Sequence, residues 1–376
     1  MDAEARLTDY QTGAQLKHIR DVVRLTQYNQ RNVLANIGML ASSGINSHHV
    51  VRIVPMLLRK IMPIDIAGFS WSNSSGEMID AYAETPYFLS PDILQSSIRF
   101  QNQSKGNWPS FKENVLRGPS AGYILNFQNE TFYNSDHFIN HYGRINMRHL
   151  VDFVVHDGRR PYGAFLLMRS ADKGAFKEQE VEILKTVTSL LPNAFKMPIQ
   201  SDVPTKRTYD LGIVVVDKNL KRHFCNLTAH QILWMMSRDS EVPMQFETDD
   251  HLDTLIKKIC NHGIEKAIKF QQFTETRHCY WGEFIVKYIY DQELETIAIN
   301  LQQMQPYPCH IAIKLSQESL SPAKLMISWL LLKGSKRKEI AKLLEIAEDT
   351  VAEHIQAIFK HFGVSSTVDL VLKVYR

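Results

Sequence analysis

Cysteine is scarce. The 376-residue chain has four, Cys225, Cys260, Cys279 and Cys309, all in one central stretch and with no CxxC pair. That spacing argues against a disulfide framework or a thiolate zinc site and for reduced, packed thiols. With no cysteine before Cys225, a thioether-linked chromophore in the first half is excluded. Long apolar runs are missing too: none approaches the roughly 18 residues of a membrane span. The polar, acidic start MDAEARLTDY is unlike a secretory signal. The expectation is a cytoplasmic protein with no membrane partner. Charge of one sign is not in excess, with 43 Lys+Arg against 40 Asp+Glu and a net charge of +3. Any nucleic-acid contact must therefore be local. There is no GxxxxGK(S/T) phosphate loop, catalytic triad or paired-carboxylate site to single out, so neither an enzyme nor a resident cofactor is expected.

What is present suits two or three domains. Between Leu16 and Leu40, apolar residues fall on a heptad (Leu16, Ile19, Val23, Val33, Ile37 and Leu40), with Thr26 and Gln30 in the same register. Residues 1–46 are thus expected to form a helix that pairs with a second copy or packs on the next domain. From Val50 to Met62 the apolar spacing is again helical. It then switches to strand-like content at Ile64–Trp71 and a turn at Asn73–Gly76. Apolar runs Leu150–Val155 and Tyr162–Met168 flank Asp157–Pro161 as a hairpin, and a helix bearing Val181, Leu184, Val187 and Leu191 follows. Helix, hairpin, hairpin and closing helix describe an α+β domain with an antiparallel sheet. The stretch DGRRPYGAFLLMRSADKGAFKEQEVEILKTVTSLL, with Gly163, Arg169 and Phe176, resembles the end of a GAF domain, here assigned to 47–196.

Residues 197–207, with Pro198 and Pro204, read as a linker. Beyond them come a strand at Leu211–Val216, a turn at Asp217–Asn219, a strand at Leu220–Phe224 and a helix starting at Asn226. Two strand-like runs close the region, Gly282–Tyr290 and Leu294–Leu301. This order, opening on GIVVVDKNLKRHFCN, is similar to a PAS domain and implies a second α+β domain over 208–310.

The last stretch, 316–376, reads as four short helices. Ser321-Pro322 opens the first, Lys333-Gly334 ends it, the third stops at Gly363, and Ser366 caps the fourth. On periodicity alone this is a small helical bundle. The motif KGSKRKEIAKLLEIAEDTVAEHI and the surrounding Leu320, Ser321, Gly334, Thr350, Val351, His354, Gly363 and Val364 resemble the LuxR-type helix-turn-helix. That resemblance implies an all-α domain that binds double-stranded DNA as a homodimer, under control of a small-molecule or protein signal. Carried over residue by residue, Ala352, Glu353 and Gln356 would read bases, flanked by Val351. Thr350, His354 and Lys360, with Lys336, Arg337 and Lys338 on the preceding helix, would hold phosphates.

The chain departs from the family at Ala347, which replaces a capping serine, and at Ala352, which replaces a lysine. Glu348, Asp349 and Glu353 crowd the same helix with acids. Together with the apolar Leu325, Met326 and Trp329, these departures motivate an alternative. In it the helix-turn-helix has become a protein-interaction surface and no longer binds DNA. An enzyme of signalling-nucleotide turnover would need an active-site constellation that the sequence does not display. Among the histidines, His137 and His141 sit at i, i+4 beside Asp136, a spacing that suits a metal pair but also an aromatic-rich core segment. His251, His262 and His278 are candidate haem or metal ligands in the PAS-like part, although lone histidines are more often surface or core residues.

Overall fold

The computed structural model describes residues 2–24, 28–89, 93, 110–122, 130–197, 204–208, 210–238 and 252–375. Thr26, His251 and positions 198–203 of the expected linker lie outside them. Two compact units share the chain. One comprises Met1–Pro63, Ser189–Pro204 and Pro306–Arg376, and the other Ile64–Thr188 and Thr205–Gln305. The units cut across linear order: both ends of the chain build the first.

The first unit is helical. Its N-terminal part is α1 (Asp2–Arg24), α2 (Tyr28–Ala41) and α3 (Ser47–Leu58), and its C-terminal part begins at α9 (Tyr307–Leu315). The heptad row is divided between two helices, with Leu16, Ile19 and Val23 on α1 and Val33, Ile37 and Leu40 on α2, all buried within the chain. The two helices meet where Gly38 leaves room: a Cβ there would lie 2.7 Å from Ile19 Cγ1. A row offered for pairing with a second copy is thus occupied internally.

The helix-turn-helix segment follows as α10 (Pro322–Leu332), α11 (Arg337–Leu344), α12 (Glu348–Phe362) and α13 (Thr367–Tyr375). Helix α2 packs on α10, and polar side chains fix the contact. Asn36, 1% exposed, donates from Nδ2 to the Ala312 carbonyl at 2.8 Å and accepts from the Trp329 indole N–H at 2.8 Å. A buried amide paired on both sides resists being pulled out, because separation would strand both its groups.

Among its described residues the second unit holds two sheets and the α-helices α4 (Phe111–Leu116), α5 (Glu130–Tyr133), α6 (Glu178–Leu190, whose last residues enter the first unit), α7 (Leu227–Ser237) and α8 (Leu252–Phe270). The first sheet comprises β1 (Ile66–Ser72), β2 (Met78–Ala83), β3 (Ser120–Ala121), β4 (Met147–His156) and β5 (Pro161–Ser170), ordered β2-β1-β5-β4-β3. All its pairings are antiparallel. Asp157 Oδ1 accepts from the N–H groups of Arg159 and Arg160 and so shapes the expected hairpin. At Gly163, φ is +141° and a Cβ would meet the Ser70 carbonyl oxygen at 2.1 Å, which is why the strand needs glycine here. Arg169 is 1% exposed. It forms two bonds to Glu180, at 3.0 and 2.6 Å, with its guanidinium 3.7 Å from the centre of the Phe176 ring.

The second sheet comprises β6 (Thr205–Arg207), β7 (Gly212–Asp217), β8 (Arg222–Cys225), β9 (Gln272–Cys279), β10 (Gly282–Asp291) and β11 (Thr296–Pro306). Its order is β8-β7-β11-β10-β9, with β6 pairing β11. Asn226 caps α7, accepting from the Ala229 N–H at 2.8 Å. Helix α8 packs on β9 and β10. There Gly263 is required, since a Cβ would fall 2.1 Å from the Tyr288 ring.

Within this unit the β9–β10 turn reaches the first sheet. Trp281, fully buried, donates its indole N–H to Asp80 at 3.1 Å and meets Trp71 edge-on at 5.2 Å between ring centres. Gln231 of α7 donates to the Glu84 carbonyl at 2.6 Å.

Candidate nucleic-acid interface

The four C-terminal helices are delimited by the residues the sequence singles out. Ser321 caps α10 through the Lys324 N–H, with Pro322 in the first turn. Gly334 and Gly363 take φ of +87° and +64° just past α10 and α12. Ser366 accepts from the Asp369 N–H at 3.1 Å, and the hydroxyls of Ser365 and Ser366 hold the Asp369 carboxyl below its ordinary range. Ala347 occupies the N-cap of α12 with no side-chain bond. A serine in its place would be worth about 1 kcal/mol to that helix. Glu348 and Asp349 in the first turn offset part of this through the helix dipole.

Helix α12 turns its apolar stripe inward: Val351, Ile358 and Phe362 are buried. Val351 was included in the expected contact surface, but it is fully buried and cannot reach a ligand without unpacking the core. Outward lie Glu353, Gln356 and Lys360, all exposed, while Ala352, Thr350 and His354 are half-buried on the same helix. At the start of α11, Lys336, Arg337 and Lys338 are all exposed. The Lys336 backbone N–H is held by Glu339 at 2.8 Å, and Arg337 lies 3.7 Å from Glu348. One cation of the triplet thus answers one acid of the next helix, across the turn.

Leu325, Met326 and Trp329 do not form an open surface. All are buried, with Trp329 tied to Asn36. The apolar character expected to serve a partner protein is buried inside the chain, where α2 and the neighbouring C-terminal helices pack on α10.

Helix α1 lies against α11. Arg20 donates to the Leu344 carbonyl at the end of α11 and to Glu345 Oε2 at 2.5 Å. Glu345 is the left-handed residue between the two helices, with φ of +50°. The Arg20 hydrogen bond, then the charges of Arg20, Lys17 and Arg24, hold the Glu345 carboxyl below its usual range. Sequence reading missed Arg20 and Asn36, because their partners lie about 300 residues away and no local spacing marks them.

A second polar group sits on the first sheet of the other unit. Asp152, 4% exposed, accepts from the Asn114 side-chain amide. The Asn114 side-chain oxygen and the Ser120 hydroxyl are buried and find no partner among the described residues. Burial, and secondarily the Asp152 charge, raise the Tyr142 phenol. His137 and His141 lie nearby on the helix cover, their rings 4.5 Å apart, with His141 Nδ1 bonded to the His137 carbonyl at 2.7 Å. The two buried rings are tilted by 40° to each other, and no metal-holding cluster of three His, Cys, Asp or Glu occurs among the described residues. No helix among them is long and apolar enough to cross a membrane.

By fold and caps, the C-terminal segment is a helix-turn-helix module. Residues 318–374 match the family described as bacterial regulatory proteins, luxR family, and constitute a helix-turn-helix domain of that kind. No curated protein matches the chain. Among solved structures it is similar to the Vibrio cholerae VqmA dimer, described as a LuxR-type receptor without its target DNA. The identity is 14%, over 45% of this chain and 83% of that one, at a TM-score of 0.17. It is also similar to the E. coli DhaR(N)–DhaL complex, at 11% identity over 77% and 90% with a TM-score of 0.20. Scores this low say nothing of what this chain binds.

Proposed function

We propose that the chain is a transcription regulator in which the 318–374 domain binds double-stranded DNA under control of the two upstream sheets. The observation that carries this reading is the luxR-family match on a helix-turn-helix whose second helix exposes Glu353 and Gln356. In this reading Gln356 and Glu353 meet base edges, where Gln suits adenine and Glu suits cytosine. Ala352 lies on the same base-facing side without a polar group, and Thr350, His354, Lys360 and the triplet Lys336, Arg337 and Lys338 hold phosphates. The upstream region is GAF-like over 47–196 and PAS-like over 208–310, a division supported by the two sheets sharing one strand order. A homodimer reading a two-fold site follows from half-site geometry.

The acids favour a second reading, a protein-interaction role without DNA, because Glu348 already engages Arg337. Fluorescence anisotropy of the full chain against genomic duplex fragments at two salt concentrations separates the two. Salt-sensitive binding, preferential for particular fragments and weakened by Lys336→Ala/Arg337→Ala, is the expected result. A folded protein that binds no fragment at low salt sinks the DNA reading.

A further inference from the structure

A row of cations on α1 faces the turn of the helix-turn-helix. Lys17, Arg20 and Arg24 recur at i, i+3 and i+7, within a single stripe of the helix. The apolar stripe beside it (Leu16, Ile19 and Val23) is buried and fixes the orientation of α1 on its neighbours. Arg20, with its side chain 19% exposed, bonds the last turn of α11 and Glu345. Lys17 and Arg24 are exposed, and both are near enough for the Glu345 carboxylate to feel their charge. Asp21, also exposed, is the one acid on this stripe. Across the turn, Lys338 and Lys342 of α11 line an open groove with Glu345 and Glu348.

The placement matters because of how a helix-turn-helix docks. The second helix enters the major groove by its N-terminal residues while the first crosses the phosphate backbone. The turn at Glu345–Ala347 immediately precedes those N-terminal residues, so a cation beside it borders the backbone at the groove's edge. We propose that α1 extends the DNA-binding surface, with Lys17 and Arg24 contacting phosphates and Arg20 acting as a positioning residue that holds α1 on α11 and neutralises Glu345. The proposal rests on the DNA-binding reading and deepens it. The domain's own second helix is acid-flanked, and the cations it lacks are supplied from more than 300 residues away in the chain.

Each phosphate contact contributes about 0.9 to the slope of log K against log salt on duplex DNA. The test titrates the full chain against a labelled mixed-sequence duplex of about two helical turns over a range of salt. It compares wild type with Lys17→Gln/Arg24→Gln and with the charge-keeping Lys17→Arg/Arg24→Lys. Both substituted residues are exposed, so circular dichroism melts are expected to coincide. The expected result is a slope reduced in magnitude by about 1.8 per bound protomer in the glutamine variant, about 3.6 for a bound dimer, and unchanged in the charge-keeping one. If wild type binds and the glutamine variant's slope falls by less than about 0.9 per bound protomer, the inference is overturned while the DNA reading stands. If wild type itself shows no salt-sensitive binding, both fall together.

Discussion

With β6 set aside, the two sheets of the second unit have one strand order: second, first, fifth, fourth, third along the sheet. They differ in how many faces they bury. In the first sheet β4 and β5 are buried along nearly their whole length on both faces. In the second, β7, β9 and β11 alternate, one face on α7 and α8 and the other half-open. The amino-acid pattern follows the coverage, not the topology: a near-continuous apolar run in LVDFVV on β4, alternation of buried Ile297, Ile299 and Leu301 with half-buried neighbours in TIAINL on β11. Coverage also decides how charge is handled. A charge in a doubly covered sheet must be paired within the protein, whereas on the half-open sheet water shares the task.

The sharpest way to break this contrast is to remove one partner of an ion pair on each sheet. Arg169→Met leaves Glu180 facing a buried site, since the two side chains are 2% and 14% exposed. A loss of about 3–5 kcal/mol is expected. The counterpart Arg277–Glu275, at 2.8 Å with side chains 30% and 17% exposed, is partly screened. Arg277→Met is expected to cost about 1 kcal/mol or less. Urea unfolding followed by tryptophan fluorescence measures both, and equal losses would show that coverage does not set the cost.

Glycine gives a second, smaller contrast. An added methyl at Gly163 meets a backbone oxygen at positive φ, where nothing can yield. At Gly263 it meets the Tyr288 ring, which can tilt. Gly163→Ala is expected to lose about 3 kcal/mol, combining strain with overpacking. Gly263→Ala should lose about 1–2 kcal/mol. The reverse order in urea midpoints would mean that the strand, and not the ring, is the softer element.

Legibility in the sequence followed the same physical divide. The hairpin at Asp157–Pro161, the Asn226 cap and the C-terminal helix ends rest on residues that act on their own neighbours, and all were readable. Strand β9 was not, because QFTETRHC has only Phe273 and Cys279 as apolar markers and shows no strand-like apolar run. Nor was β6, three residues inside a stretch that reads as linker. Within the candidate interface, exposure of Glu353 and Gln356 follows from helical period alone. The roles of Asn36 and Arg20 depend on which distant helices pack together, and no spacing rule carries that. The heptad shows the limit most plainly: its period correctly marks a buried face but does not say whether the partner is a second copy or the next helix.

The two sheets should also fail at opposite ends of the pH scale. On the cover of the first, burial, with the adjacent His141, pushes the His137 imidazole down to about 3 from 6.5. The folded protein refuses a proton that the unfolded chain accepts below 6.5. Stability from this group is therefore complete above that pH and falls as pH drops toward 3, by up to about 1.4 kcal/mol per pH unit. Under the second sheet, burial pushes the Cys260 thiol up to about 12 from 9.0. Here the folded protein keeps a proton that the unfolded chain releases, so stability is complete below 9 and falls as pH rises toward 12. Urea midpoints across both ranges test this with His137→Gln and Cys260→Ala. The first variant should flatten only the acid limb and the second only the alkaline limb, whatever each does to stability at neutral pH. Should either variant leave its own limb unchanged, burial of that group is not what makes the corresponding sheet pH-sensitive.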